Sequence, residues 1–135
     1  MATITALKRE HEVSTKRKRH VDVDIRRAHE NRSITIELFT MDGKSKRCDA
    51  YSMLAVGHYM AAARKYEEAA LKALVSVEKD LLLIRRDNAY KNAGIMLLKL
   101  QRVFEGVGFL RESGMAESSI SRLAHKYVIT GPVLL

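Results

Sequence analysis

VDVDIRRAHENRSITIELF, residues 21–39, is the stretch on which the fold class turns. Val21, Val23 and Ile25 alternate with Asp22 and Asp24. Ile34, Ile36 and Leu38 then alternate with Thr35, Glu37 and Phe39. A period of two is the pattern of a strand that buries one face. Polar residues including Asn31 separate the two runs. The pattern therefore predicts a β-hairpin with a loop longer than the tight two-residue type. Such a hairpin is marginal alone in water, so its Val/Ile/Leu face needs a cover from the rest of the chain or from a second copy.

Downstream of MDGKSKR, residues 41–47, the period changes. Asp42-Gly43 is a turn signal, and Asp49 is placed to cap a helix. Between Gly57 and Gly94 there is no Gly or Pro, and strong helix formers dominate. Two internal breaks stay open. One is Arg85 to Asn88, where Asp87 or Asn88 would cap a second helix from Ala89 to about Val107. The other is Ser76 to Asp80. Gly106, Gly108 and Glu112-Ser113-Gly114 end this region; for Gly106-Val107-Gly108, a cap or a close helix contact is the expectation. A short helix from about Glu117 to Tyr127 comes next, and Gly131-Pro132 stops it.

The expected fold class is thus α+β, mainly α. A basic arm over 1–20 precedes a β-hairpin and linker over 21–48. A helical domain over 49–135 completes the chain, built from a long antiparallel helical hairpin and a short C-terminal helix, with 21–48 part of the same structural domain.

GHYMAAARKYEEAALKAL, residues 57–74, lies in the middle of the first long helix. Tyr51, Leu54, Ala55, His58, Ala62, Tyr66, Ala69 and Ala73 recur at spacings of three and four, and Met53, Val56, Met60 and Ala63 form a second stripe beside them. Small residues on adjoining faces permit close approach by helices of the same chain or of another copy. Tyr59, Met60, Ala63 and Tyr66 are the candidate protein interface.

Tyr51, Leu54 and Ala55, followed by Tyr66 and Ala69, resemble the two helices of a tetratricopeptide repeat. A fainter copy starts at Ala89-Tyr90 and continues through Asn92-Ala93-Gly94 to Phe104, so the resemblance covers residues 50–110. The spacing from Tyr51 to Tyr90 is longer than the family's, no breaker falls near Ala61 to Ala63, and the usual Pro is missing. The resemblance implies a concave surface that grips a peptide or partner protein. Ser118 to Leu135 resembles the start of a helix-turn-helix, with Ile120, Leu123 and Ala124 packed inward. Gly131-Pro132-Val133-Leu134-Leu135 cannot supply a recognition helix long enough to enter a major groove.

The chain carries 24 Lys and Arg against 16 Asp and Glu, for a net charge of +8. Residues 1–48 hold 12 of the cations and 7 of the anions, with the densest run at Lys16 to His20. Lys16, Arg17, Lys18, Arg19, Arg26, Arg27 and Arg32 are the candidate nucleic-acid contacts, because clustered cations attract phosphate. No stacking aromatics accompany them.

Catalytic spacings are missing: there is no phosphate-binding Gly-Lys-Ser/Thr loop, Gly-x-Ser-x-Gly, His-Glu-x-x-His or Cys-x-x-Cys. Asp22, Asp24, His29, Glu30 and Glu37 form the most enzyme-like group, yet arginines between them point to ordinary salt pairs. No catalytic residue, metal site or cofactor is expected. A single cysteine, Cys48, excludes an internal disulfide, and no apolar run approaches a membrane span. The expected function is that of a non-enzymatic interaction or assembly protein, a homo-oligomer or a subunit of a larger complex, nucleoprotein and viral particles included. The alternative is a sequence-tolerant nucleic-acid binder that uses its basic N-terminal arm. A cytoplasmic setting, or one within a virion or ribonucleoprotein particle, fits either.

Overall fold

The structure, a computed structural model, describes residues 18–35, 37 and 45–129. Every regular element among them is helical. Helix α1 covers residues 18–35. It is followed by α2 (Ser45–Lys72), α3 (Ser76–Lys99), α4 (Val103–Glu112) and α5 (Glu117–Ala124), and α5 runs on into a π-helical turn at His125–Ile129. The described residues form a bundle of five helices, not an α+β fold.

The predicted β-hairpin is the main correction. Residues 21–35 wind as one helix where the first strand, the loop and the start of the second strand were expected; Ile36, Leu38 and Phe39 lie outside the described residues. Val21 and Ala28 are fully buried one heptad apart, with Ile25 packed between them. That spacing of four and three is a helical seam. The aspartates that gave the stretch its alternation are not on a wet sheet face. Asp24 is buried, and both Asp22 and Asp24 reach α2.

Helix α2 is the central packing element. Its buried residues, Ser52, Ala55, Val56, Tyr59, Ala62, Ala63, Tyr66, Ala69 and Ala70, form one broad stripe. Val21 joins the C-terminal half of α2 and Leu82 and Ala89 of α3 in one cluster. Ala28 joins Ala55, Val56 and Tyr59 with Ala93, Met96 and Leu97 in another. Both α1 and α3 therefore run antiparallel to α2 and flank it. Alanine dominates the seam because three helices share it, and small side chains permit their close approach. No breaker interrupts α2 near Ala61 to Ala63, so the residues of the repeat-like motif sit on a single 28-residue helix rather than on a helix-turn-helix pair.

The boundaries differ from the sequence expectation in three places. Asp49 does not cap α2, which already runs from Ser45. Arg85 to Asn88 is not a break: α3 passes straight through it, and Arg86 pairs with Asp87 and, across the seam, with Glu67. An Asp or Asn inside a helix costs a few tenths of a kcal/mol, less than burying Leu82 and Ala89 on either side returns. The real break spans Ala73 to Val75, with Val75 extended at φ −100° and ψ 127° ahead of Ser76. The second helix therefore begins at Ser76 instead of Ala89 and ends at Lys99, short of Val107.

The α3 end is closed by a Schellman arrangement. The Arg102 N–H donates to the Leu97 carbonyl at 2.9 Å and the Gln101 N–H to the Leu98 carbonyl at 3.0 Å, with Gln101 at φ 65°. The same pair of bonds closes α4 around Gly114, at φ 80°. Helix α4 folds back on α3, where Leu98 and Leu110 join Ile120 of α5 in a third cluster. Leu123 and Ala124 pack against this cluster. Arg111 and Glu117, 2.7 Å apart, tie α4 to α5 on the surface.

Candidate interaction site

Tyr59 and Tyr66 of α2 do not face solvent. Tyr59 is 2 % exposed, Tyr66 is 1 % exposed and Ala63 is fully buried, all against α1 and α3 of the same chain. Met60 is half-buried against the same core. The close helix neighbours that these four residues were expected to receive are thus internal ones.

The hydroxyls of Tyr59 and Tyr66 each find a partner on α1. The Tyr66 hydroxyl donates to Asp22 Oδ1 at 3.2 Å, and that of Tyr59 hydrogen-bonds His29 Nδ1 at 3.2 Å with the rings edge to face. The two contacts repeat one heptad apart on antiparallel helices. Between them the Lys65 ammonium donates to Asp24 Oδ2 at 2.6 Å. Burial, with the Asp22 carboxylate alongside, pushes the Tyr66 phenol up to about 12. Burial also raises the Tyr59 phenol, while Arg32 pulls against that. Asp22, Asp24 and His29 are thereby engaged with α2, and no group of three metal-ligating side chains gathers among the described residues.

Exposed apolar surface collects elsewhere, at the corner between α2 and α3. Leu71, Leu74 and Val77 are 77 %, 69 % and 76 % exposed, and Val75 lies between them. Val77, Leu81 and Ile84 then continue as an exposed stripe along α3 at spacings of four and three, on a face separate from that of Leu82 and Ala89. Scattered exposed apolar residues are ordinary on a protein surface; a contiguous group of this size is the kind that marks an interaction site. Exposed Lys72, Lys79 and Asp80 border it with both signs of charge. Sequence reading missed this site. Its signal was the all-round apolar run Leu81-Leu82-Leu83-Ile84, which has more apolar residues than one buried face can use.

The candidate nucleic-acid contacts do not form one patch. Lys16 and Arg17 lie outside the described residues. Lys18, Arg19, Arg26, Arg27 and Arg32 are all exposed on α1. Arg19 and Arg26, one heptad apart, share the outer face opposite Val21 and Ala28, and Arg26 faces Glu30 at 3.9 Å. Arg27 is displaced around the helix. Arg32 points the other way, toward Tyr59 and the C-terminal end of α3.

No helix among the described residues is long and apolar enough to cross a membrane. No protein-family model, curated protein or solved structure matches the chain.

Proposed function

We propose that this chain is a non-enzymatic interaction and assembly protein, and that it joins to a second copy of itself through the apolar corner of α2 and α3. The observation that carries the reading is the contiguous exposed group Leu71, Leu74, Val75, Val77, Leu81 and Ile84. A single patch of this kind is self-complementary when two copies meet about a two-fold axis. Its mixed charged border lets Lys72 or Lys79 of one copy approach Asp80 of the other. Such an assembly fits a cytoplasmic protein or a component of a virion or ribonucleoprotein particle.

Light scattering across a dilution series tests this. Association that rises with concentration, and that Val77→Glu together with Leu81→Glu abolishes while helicity is kept, is the expected result. A strict monomer at high concentration would sink the reading.

A second reading, sequence-tolerant nucleic-acid binding, is favoured by the outward pair Arg19 and Arg26. Affinity for unrelated DNA and RNA should fall steeply with salt, and each phosphate contact removed should flatten the log–log salt slope by about 0.9. Absence of binding at low salt would remove it.

A further inference from the structure

One cavity lies away from the apolar corner and from the outer face of α1. It measures about 180 Å³ and is lined by Arg32 of α1, by Tyr59 of α2, by Asn92, Ile95, Met96 and Lys99 of α3, and by Tyr127 of the C-terminal π turn. Four elements therefore contribute to it, two of them with a cation in its lining. The Lys99 ammonium stands 5.2 Å from the centre of the Tyr127 ring, and so does that of Lys126. The π turn is held in place by the Gln101 side-chain amide, which donates to the Tyr127 carbonyl at 3.2 Å. The described residues lining the cavity include no Asp or Glu.

A cation in the last turn of a helix complements the helix dipole, and Lys99 is so placed on α3. That explains Lys99 singly. Arg32, four residues past the buried Ala28 on the same side of α1, faces the same cavity. Like charges brought together raise the local potential and attract an anion. Burial pushes the Lys99 ammonium below its ordinary range, and Arg32 and then Lys126 push it the same way. A bound anion would offset the repulsion between these cations.

We propose that this cavity binds a single phosphate group, held by Arg32 and Lys99, with the Asn92 amide as a further donor. Arginine's planar fork suits two phosphate oxygens at once, and lysine adds a point charge. The volume sets the ligand class: it falls below the roughly 300–1,000 Å³ of pockets that enclose drug-sized molecules. A free phosphate or a small phosphomonoester fits, as does one backbone phosphate of a strand passing outside. The Tyr59 hydroxyl, already hydrogen-bonded to His29, forms the neutral floor. The phosphate site depends neither on self-association nor on the outward arginines of α1.

Titration of the ¹⁵N-labelled full chain with inorganic phosphate at low ionic strength tests it. Saturable shifts are expected at Arg32, Asn92, Lys99 and Tyr127. Arg32→Gln or Lys99→Gln should each weaken binding about tenfold or more, the loss expected for one charge-assisted hydrogen bond. Lys91→Gln, an equal change of charge on an exposed α3 residue outside the cavity, should leave it unchanged. A parallel titration with a short DNA oligonucleotide separates the sources: saturation by phosphate alone assigns a small ligand, and saturation of the same residues by the oligonucleotide assigns a polymer backbone. Shifts that never saturate, that spread over all basic residues, or that survive Arg32→Gln overturn the proposal.

Discussion

Gly94 of α3 and Gly106 of α4 meet back to back. A Cβ built on either would lie 2.9 Å from the carbonyl oxygen of the other, and one on Gly94 would also lie 2.8 Å from Leu110 Cγ. Contacts under 3 Å to backbone oxygen cannot be relieved by a side-chain rotation. The two helices cross at this point because neither residue has a side chain. Beside the crossing, Tyr90 and Phe109 stack at 6.0 Å.

Gly94→Ala and Gly106→Ala should each lower stability. Alanine gains about 1 kcal/mol over glycine inside a helix, and overpacking costs about 1–3 kcal/mol. With backbone as the obstacle the second effect wins, for a net loss on the order of 1 kcal/mol. Gly57→Ala is the counter-case: its Cβ would meet nothing within 4 Å in the middle of α2. That change should stabilise by about 0.5–1 kcal/mol. Urea midpoints of the three variants check the contrast.

Lys65→Met should leave the Asp24 carboxylate, 9 % exposed, without its cation. Full burial would make such a loss several kcal/mol, but the Lys65 side chain is 44 % exposed and water screens the pair. A cost of about 1 kcal/mol is expected. Adding Asp24→Asn should recover part of it, since contacting residues are coupled. The four chains of this cycle, unfolded in urea, give the coupling directly.

Alkaline pH should weaken the α1–α2 seam through Tyr66. Its phenol titrates near 10 in the unfolded chain and at about 12 when folded. The unfolded state therefore loses the proton first, and the stability held below pH 10 drains away as pH rises toward 12. Tyr66→Phe should lessen that slope while costing about 1 kcal/mol at neutral pH for the lost hydrogen bond to Asp22. Urea unfolding at pH 8 and pH 11, read for both chains, measures both effects.

The helical hairpin of α2 and α3 was legible from its helix formers; Glu112-Ser113-Gly114 marks the end of α4, but Gly106 and Gly108, expected to end the same region, lie inside that helix. Gly114 takes the left-handed backbone that glycine favours. Gln101 takes the same backbone with no such marker, and for this reason the turn between α3 and α4 was invisible and the helical pattern ran on toward Val107. The hairpin misreading has a related cause. Val21, Val23 and Ile25 alternate, but only Val21 is fully buried, and the intervening aspartates serve partners on another helix. A period-two pattern is not diagnostic when its polar positions are themselves engaged. Ala28, a small residue amid charge, was the sign of the heptad. As for the candidate contacts, exposure of the arginines on α1 was foreseeable; the company Arg32 keeps with Lys99 was not, because 67 positions separate them.

The makeup of the α1 seam sets an order of opening. Helix α3 commits Leu82, Met96, Leu97 and Leu98 to the core, whereas α1 commits Val21, Ala28 and a row of hydrogen-bonded polar groups. Regions that bury little apolar area open at lower free energy than the whole domain. Amides of α1 should therefore exchange with deuterium well before those of α3, as a separate cooperative unit. A common exchange rate for the two helices would show instead that the bundle opens only as one.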